Sequence, residues 1–267
     1  MITSTANQKI KRLVNLQKKR KLRDAEGVFL VEGIRMFREV PAQDLQEVYV
    51  SESFYGKEKN IVDEMCKKSG LRAEILTDNV FAHVSDTQTP QGVLCVVKQR
   101  GKSGSAAELW KDKKNVPFLM ILDNLQDPGN MGTILRTAEA AGVNGILMSK
   151  DCVDIYNSKV IRSTMGSVFR MPFLYVEDLE AAILEMKEAG IKTYAAHLDG
   201  KLSYDEPDYR GPSAFMIGNE GNGLRDEIAK LADTYIIIPM AGQVESLNAA
   251  IAATVLMFET SRQRRQK

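Results

Sequence analysis

The sequence predicts an α/β protein in two parts, a smaller N-terminal domain and a larger C-terminal domain built on a parallel sheet. Three observations carry this. Short apolar runs alternate with amphipathic stretches along the whole chain. A Gly/Ser/Ala-rich segment, GKSGSAAE, interrupts that alternation near residue 101. In the second half, three polar, glycine-rich turns each follow an apolar run, as the turns at one edge of a parallel sheet do.

The first expected element is a basic helix over residues 3–23, with Ile10, Leu13 and Leu16 at helical spacing on one side and Lys9, Lys11, Arg12, Lys18, Lys19, Arg20, Lys21 and Arg23 elsewhere. A strand at VFLVEG stops at Glu32 and Gly33. A helix over 34–40, a strand at LQEVYVS, a helix over 58–69 and strands at AEILT and VLCVVKQ complete a domain over residues 1–100. A linker over 101–115 follows. In residues 116–267 strands are expected at 118–122, 145–149, 192–197, 214–217 and TYIIIP. Helices are expected at 131–141, 158–167, 179–189 and 224–231, and a long last helix begins near Ser246.

At 267 residues the chain is long enough for two ordinary domains. Hydrophobic residues at 44% and charged residues at 27% exclude a disordered chain. The net charge of +1 conceals an uneven distribution, because the stretch from Lys9 to Arg23 meets no carboxylate and the tail carries Arg262, Arg264, Arg265 and Lys267. Cys66, Cys95 and Cys152 are too far apart for a Cys-x-x-Cys metal site, and no disulfide framework is suggested. No apolar run approaches the ~20 residues that span a bilayer, and the N-terminus lacks a signal core. A soluble cytoplasmic protein without metal is the expectation, with His83 and His197 as isolated, non-catalytic residues.

The turn after residues 118–122 reads DNLQDPGNMGTILRTAEAAG. It lacks both the Gly-x-Gly-x-x-Gly of dinucleotide sites and the Gly-Lys-Ser/Thr of triphosphate loops. It offers instead a rigid Asp127-Pro128-Gly129 corner, Asn130 at the expected helix cap and Arg136 further along the helix. The other two turns are IGNEGNGL and IPMAGQVESLNAA. Taken singly, Asn130 and Ser246 are satisfied by a capping role, and Arg136 by a surface pairing with Glu139. Capping leaves the glycine density unexplained: Gly129, Gly132, Gly218, Gly221, Gly223 and Gly242 point to a ligand lying close to the backbone.

PGNMGTILRTAEAAG, MIGNEGNGL and IPMAGQVESLNAAIA resemble, in order and separation, the three motifs of the SpoU (TrmH) family of SPOUT RNA methyltransferases. The segment VIRSTMGSVFRMPF is similar to the stretch these enzymes carry between the first and second motifs. The basic helix followed by GVFLVEGIRMFREV resembles the ribosomal-protein-like substrate-binding domain of rRNA-directed members; members without this domain include tRNA enzymes.

The resemblance implies a C-terminal SPOUT domain with a trefoil knot, a homodimer, and transfer of a methyl group from S-adenosylmethionine to an RNA ribose 2′-hydroxyl; the apolar helix NAAIAATVLMFE serves either that interface or plain core packing. It implies that Asn130, Arg136, Glu220, Ser246 and Asn248 form the catalytic set. It implies cofactor contacts at Gly218, Ile238, Met240, Ala241, Gly242 and Leu247. Two roles are open to Arg136: transient loss of a proton to serve as base, which guanidinium resists, or grip of the target phosphate. Lys9, Lys11, Arg12, Arg162 and Arg170, with Lys159 and the tail, are the expected phosphate contacts. Large-subunit (23S) rRNA is the expected substrate, with a tRNA 2′-O-methyltransferase or a non-catalytic RNA-binding assembly factor as alternatives.

Overall fold

A computed structural model describes residues 1–100, 104–111 and 115–266. It divides into two units. Unit 1 comprises Met1–Arg100 and Asp154–Phe169, and unit 2 comprises Gly101–Val153 and Arg170–Lys267. The sequence places 154–169 with the C-terminal domain. In the structure this segment packs instead with the N-terminal one, where Tyr156 lies with its ring centroid 4.4 Å from that of Phe29 and Phe169 at 6.2 Å from the same ring. Of the expected linker, residues 101–103 and 112–114 lie outside the described residues. The stretch between them is no free tether, because Ala106 is buried in the core of unit 2 with Leu109 and Trp110 packed against it.

Unit 1 runs α1 (Gln8–Lys18), α2 (Arg20–Glu26), β1 (Val28–Glu32), α3 (Ile34–Glu39), β2 (Leu45–Ser51), α4 (Glu52–Ser69), β3 (Ala73–Leu76), α5 (Asp78–Val84) and β4 (Val93–Lys98). Its sheet has the order β1-β4-β2-β3, antiparallel except for β2 with β3. Ile10, Leu13 and Leu16 are fully buried under the sheet, as their spacing predicts.

The first helix is broken at Lys19, whose backbone is extended. Arg23 explains why the break is tolerated. Its guanidinium turns inward, donates to the carbonyls of Leu16 at 2.6 Å and Gln17 at 2.9 Å, and pairs with Asp154. The long helix begins at Glu52 rather than 58, because Ser51 caps it by accepting from the Phe54 N–H at 3.2 Å and the chain stays helical through Gly56 with a kink at Glu58. The short helix α5 is not expected from the sequence. In the 154–169 segment α7 is Ser158–Thr164.

Unit 2 contains β5 (Phe118–Leu122), α6 (Pro128–Ala141), β6 (Gly145–Ser149), β7 (Phe173–Val176), α8 (Leu179–Glu188), β8 (Lys192–Ala196), β9 (Leu202–Ser203), β10 (Ser213–Ile217), α9 (Asp226–Ala229), β11 (Thr234–Ile237) and α10 (Ala249–Arg265). Its seven strands pair in the order β7-β6-β5-β10-β8-β11-β9, and every pairing is parallel. β5, β6 and β10 are buried throughout, which fits their unbroken apolar sequences. β7 and β9 are additions to the strands expected from sequence. With all strands parallel, the turns after β5, β10 and β11 share the carboxyl edge of the sheet.

Of the basic tail, Arg262 and Arg264 are engaged within the chain, Arg265 is exposed, and Lys267 lies outside the described residues. Arg264 lies over the Phe118 ring, 5.0 Å from its centroid, and donates to the carbonyls of Tyr209, Val116, Pro117 and Gly211 at 2.7–3.0 Å. Burial lowers its pKa from the usual guanidinium value. Arg262 pairs with Glu259 at 2.7 Å. Among the described residues no helix is long and apolar enough to cross a membrane.

Candidate active site

The loop after β5 is fixed by its own sequence. Asp127 precedes Pro128 at the first helical position and caps α6 by accepting from the Asn130 N–H at 2.8 Å. Asn130 is therefore not the cap. It is the third residue of the helix, only 8% exposed, and its amide is available for other work. That amide donates from Nδ2 to Glu220 Oε1 at 3.0 Å and accepts at Oδ1 from Asn248 Nδ2 at 2.9 Å. A carboxylate can only accept, so Glu220 dictates which way the Asn130 amide faces.

Glu220 is held from the other side by the backbone N–H groups of Gln126 at 3.0 Å and Asp127 at 2.8 Å. Burial raises its carboxyl pKa, but the Asn130 amide and these two N–H groups outweigh that and leave it below the usual glutamate range. Asn248 caps α10, accepting from the N–H of Ala250 at 2.9 Å and of Ile251 at 3.3 Å, so the cap expected at Ser246 falls two residues later. Three loops far apart in sequence thus meet through the chain of contacts Glu220, Asn130, Asn248.

Gly218 has a different reason to be glycine than ligand access. A Cβ there would lie 2.1 Å from the backbone carbon of Gly223 and 2.1 Å from the Leu224 nitrogen. The loop folds back on itself, with Asn219 and Gly223 exchanging backbone hydrogen bonds at 2.8 and 2.9 Å. At Gly242 a Cβ would meet nothing within 4 Å. Ile238, Met240 and Leu247 are half-buried, and Ala241, Gly242 and Ser246 are exposed.

Arg136 is exposed and has no hydrogen bond or ion pair among the described residues. It follows Asn130 by six residues, which on an α-helix places it about 120° round and ~9 Å along. Glu139, its suggested surface partner, pairs with Arg170 instead. Several expected RNA contacts are likewise engaged within the chain: Lys9 with Glu74, Arg12 with Glu26 at 2.6 Å and Glu47 at 2.8 Å, and Arg162 with Asp86 at 3.1 Å. Lys11, Lys18, Lys19 and Lys21 are exposed without such partners among the described residues. His197 packs against the Tyr235 ring at 4.8 Å. No group of three His, Cys, Asp or Glu among the described residues could hold a metal ion.

The sequence reading missed Asp123 and Arg225. Asp123 is fully buried at the end of β5, and Arg225, the residue that follows the second loop, pairs with it. A carboxylate directly after an apolar strand was the available signal.

Comparison with known proteins places these features. Residues 117–258 match the SpoU rRNA Methylase family, and residues 7–95 match the MRM3-like substrate binding domain. The chain is 30% identical to the 23S rRNA (guanosine(2553)-2′-O)-methyltransferase RlmP of Bacillus subtilis, covering 96% of this chain and 97% of that one. Among solved structures it is similar to the AdoMet-bound rRNA methyltransferase from Sinorhizobium meliloti, with a TM-score of 0.85 and 29% identity over 98% of this chain and 97% of that chain. The SpoU methyltransferase AviRb from Streptomyces viridochromogenes, in complex with AdoMet, aligns with a TM-score of 0.83 and 26% identity over 98% and 100%.

The third loop fits this cofactor. Among the described residues, Met240 to Leu247 have no hydrogen bond from backbone or side chain, so their N–H and C=O groups are available to read an adenine edge and hold an uncharged ribose. With the motif loops gathered on one sheet edge and both domains matched, the chain belongs to the SpoU rRNA methylase family, enzymes that use S-adenosylmethionine to methylate RNA ribose 2′-hydroxyls.

Proposed function

We propose that this protein methylates one ribose 2′-hydroxyl in large-subunit rRNA. The observation that carries the reading is the Glu220, Asn130, Asn248 chain on the carboxyl edge of the parallel sheet, beside a loop with free backbone groups, in a chain that also has a substrate-binding domain. RlmP, which is similar along nearly its whole length, acts on 23S rRNA, and that supports the substrate class. We take residues 1–100 as the substrate-binding domain and 116–267 as the catalytic one, with 154–169 a catalytic-domain insertion that packs on the former.

The sulfonium methyl of S-adenosylmethionine is already electrophilic, so the chain's task is to align the hydroxyl and dispose of one proton. Glu220 fixes the Asn130 amide, and Asn130 and Asn248 then present polar groups to the target ribose. Ser246, exposed on the third loop, is the nearest hydroxyl donor to that pair in sequence. Arg136 projects from the same helix with its fork unused by the protein, which suits a target phosphate and leaves the base role as the alternative. Gly218, Ile238, Met240, Ala241, Gly242 and Leu247 are the proposed cofactor contacts.

Lys11 becomes the strongest of the named RNA contacts because its charge is unpaired, with Lys18, Lys19 and Lys21 beside it. Lys9, Arg12, Arg162 and Arg170 must exchange an internal carboxylate for phosphate, and contribute less. The exposed face of α10 supports a homodimer: Ile251 (49% exposed) and Phe258 (42% exposed) stand seven residues apart on one face, with Thr254 and Val255 half-buried between them. β11 lies between β8 and β9 while α10 returns to α6 and β10, a path compatible with the family's trefoil knot. RlmP's substrate, 23S rRNA in Bacillus subtilis, supports a cytoplasmic site of action.

The test is methyl transfer from labelled S-adenosylmethionine to free 23S rRNA, large subunits and tRNA from cells lacking the protein, followed by mapping of ribose methylation. One labelled position in 23S rRNA is expected. Label confined to tRNA would replace the substrate, and binding without transfer to any of the three would leave an assembly factor.

A further inference from the structure

The loop that carries Glu220 is pinned at both ends by one residue outside the three motifs. The Asp123 N–H donates to the Ile217 carbonyl at 2.9 Å, fixing where the loop leaves β10. The Asp123 carboxylate then receives the other end: Arg225 donates from its backbone N–H to Oδ2 at 3.0 Å, from Nε to Oδ1 at 2.9 Å, and from Nη2 as well. Between these ends, Asn219 Nδ2 donates to the Asn124 carbonyl at 2.9 Å. Residues 123–127 and 219–225 are thereby joined at successive points, and Glu220 sits inside that joint.

Stability alone is a poor reason for this arrangement. Asp123 has no exposure, but the Arg225 side chain is 38% exposed and also lies 3.6 Å from Asp151, and an ion pair that water reaches on one side stabilises a fold little. What a forked pair supplies is one geometry. Here that geometry sets where the second half of the loop lies relative to α6, and so the direction from which Glu220 meets Asn130. Gly218, the proposed cofactor contact, lies against Gly223 and Leu224 and is held by the backbone bonds of Asp123 to Ile217 and of Asn219 with Gly223, none of which uses an Arg225 side-chain atom.

We propose that Asp123 and Arg225 are positioning residues for methyl transfer: the pair holds Glu220, and through it the Asn130 amide, in the reacting geometry, while the backbone bonds around Gly218 serve cofactor binding. This deepens the reading of the site given above and rests on it.

The experiment compares Arg225→Met, Arg225→Lys, Asp123→Asn and the double variant Asp123→Asn/Arg225→Met in the full-length protein. Turnover on the RNA that the parent methylates is measured beside S-adenosylmethionine affinity by calorimetry and the melting midpoint. Arg225→Met is expected to lower kcat about 10- to 100-fold, the scale of a small misplacement of reacting groups. Cofactor Kd should stay within about twofold, because the backbone bonds that hold Gly218 survive loss of the Arg225 side chain. Arg225→Lys, which keeps the charge but loses the fork, should recover only part of kcat. The double variant should be no slower than Arg225→Met, since the two side chains act as a unit.

Should Arg225→Met not fold, Arg225→Lys and Asp123→Asn carry the same comparison. Parental kcat in the folded single variants would overturn the proposal, as would cofactor affinity falling in step with kcat. A parent that binds S-adenosylmethionine and methylates no RNA would instead overturn the reading on which it rests.

Discussion

The loops after β5 and β10 and the loop after β11 stand on the same sheet edge and are held in opposite ways. In the first two nearly every polar side chain has a partner: Asp123 with Arg225, Asn124 with Gln126, Asn219 with the Asn124 carbonyl, Glu220 with the Gln126 and Asp127 N–H groups and Asn130. In the third, Met240 to Leu247 have none among the described residues until Asn248 caps α10. Under the proposed function the contrast matches different tasks. Groups that must meet a reacting hydroxyl are set before substrate arrives, so no binding energy is lost in ordering them. Groups that read a cofactor are left free for it to satisfy.

Arg136→Ala should break the comparison most visibly. The side chain is exposed and partnerless, so its removal should leave the unfolding free energy within about 0.5 kcal/mol of the parent. Methyl transfer should nevertheless be lost and cofactor binding retained, as single-turnover transfer and calorimetry would show. Transfer at the parental rate would remove Arg136 from the site.

Gly218 and Gly242 offer the next test, since the sequence gives both the same task. Gly218→Ala forces a Cβ into the backbone of Gly223 and Leu224 and should cost about 3 kcal/mol or more, with transfer falling as the loop shifts. Gly242→Ala meets open space and should leave the melting midpoint unchanged. Any effect should appear in S-adenosylmethionine affinity alone. Equal melting midpoints for the two variants would contradict the close packing at Gly218.

The convergence of the three loops was legible in the sequence because apolar strands followed by glycine-rich turns leave few other topologies. Less was legible where a decision depended on a distant partner. Two residues of DPGN can cap a helix, and only the position of Pro128 in the folded turn gives the role to Asp127 and releases Asn130. A basic stretch does not reveal that Arg23 turns inward to the Leu16 and Gln17 carbonyls, or that Arg12 lies between Glu26 and Glu47. Glycine density reads as ligand access, yet at Gly218 the close neighbour is the chain itself. The amphipathic pattern of residues 158–167 predicts a helix and is silent about which core receives it.

The smallest effect sought is a pH dependence that separates the clasped loops from the open one. Glu220 has a folded pKa below its ordinary value of 4.5 because the Asn130 amide and two backbone N–H groups outweigh the effect of burial. A depressed carboxyl pKa contributes stability that is fully present above the unfolded value and is lost as pH falls through the folded one. Glu220→Gln removes that contribution, because a glutamine cannot accept from both the Gln126 and Asp127 N–H groups with its single oxygen while its NH₂ faces one of them. The parent should therefore melt above the variant at pH 6 to 8, and the gap should narrow only below about pH 4.5. The gap should be modest, since Glu220 is exposed at the surface and water screens it. Melting curves of both proteins across pH 3 to 8 decide the matter. A gap that stays constant down to pH 3 would mean that the carboxylate charge does not hold the first two loops together, and their contrast with the third would then rest on backbone packing alone.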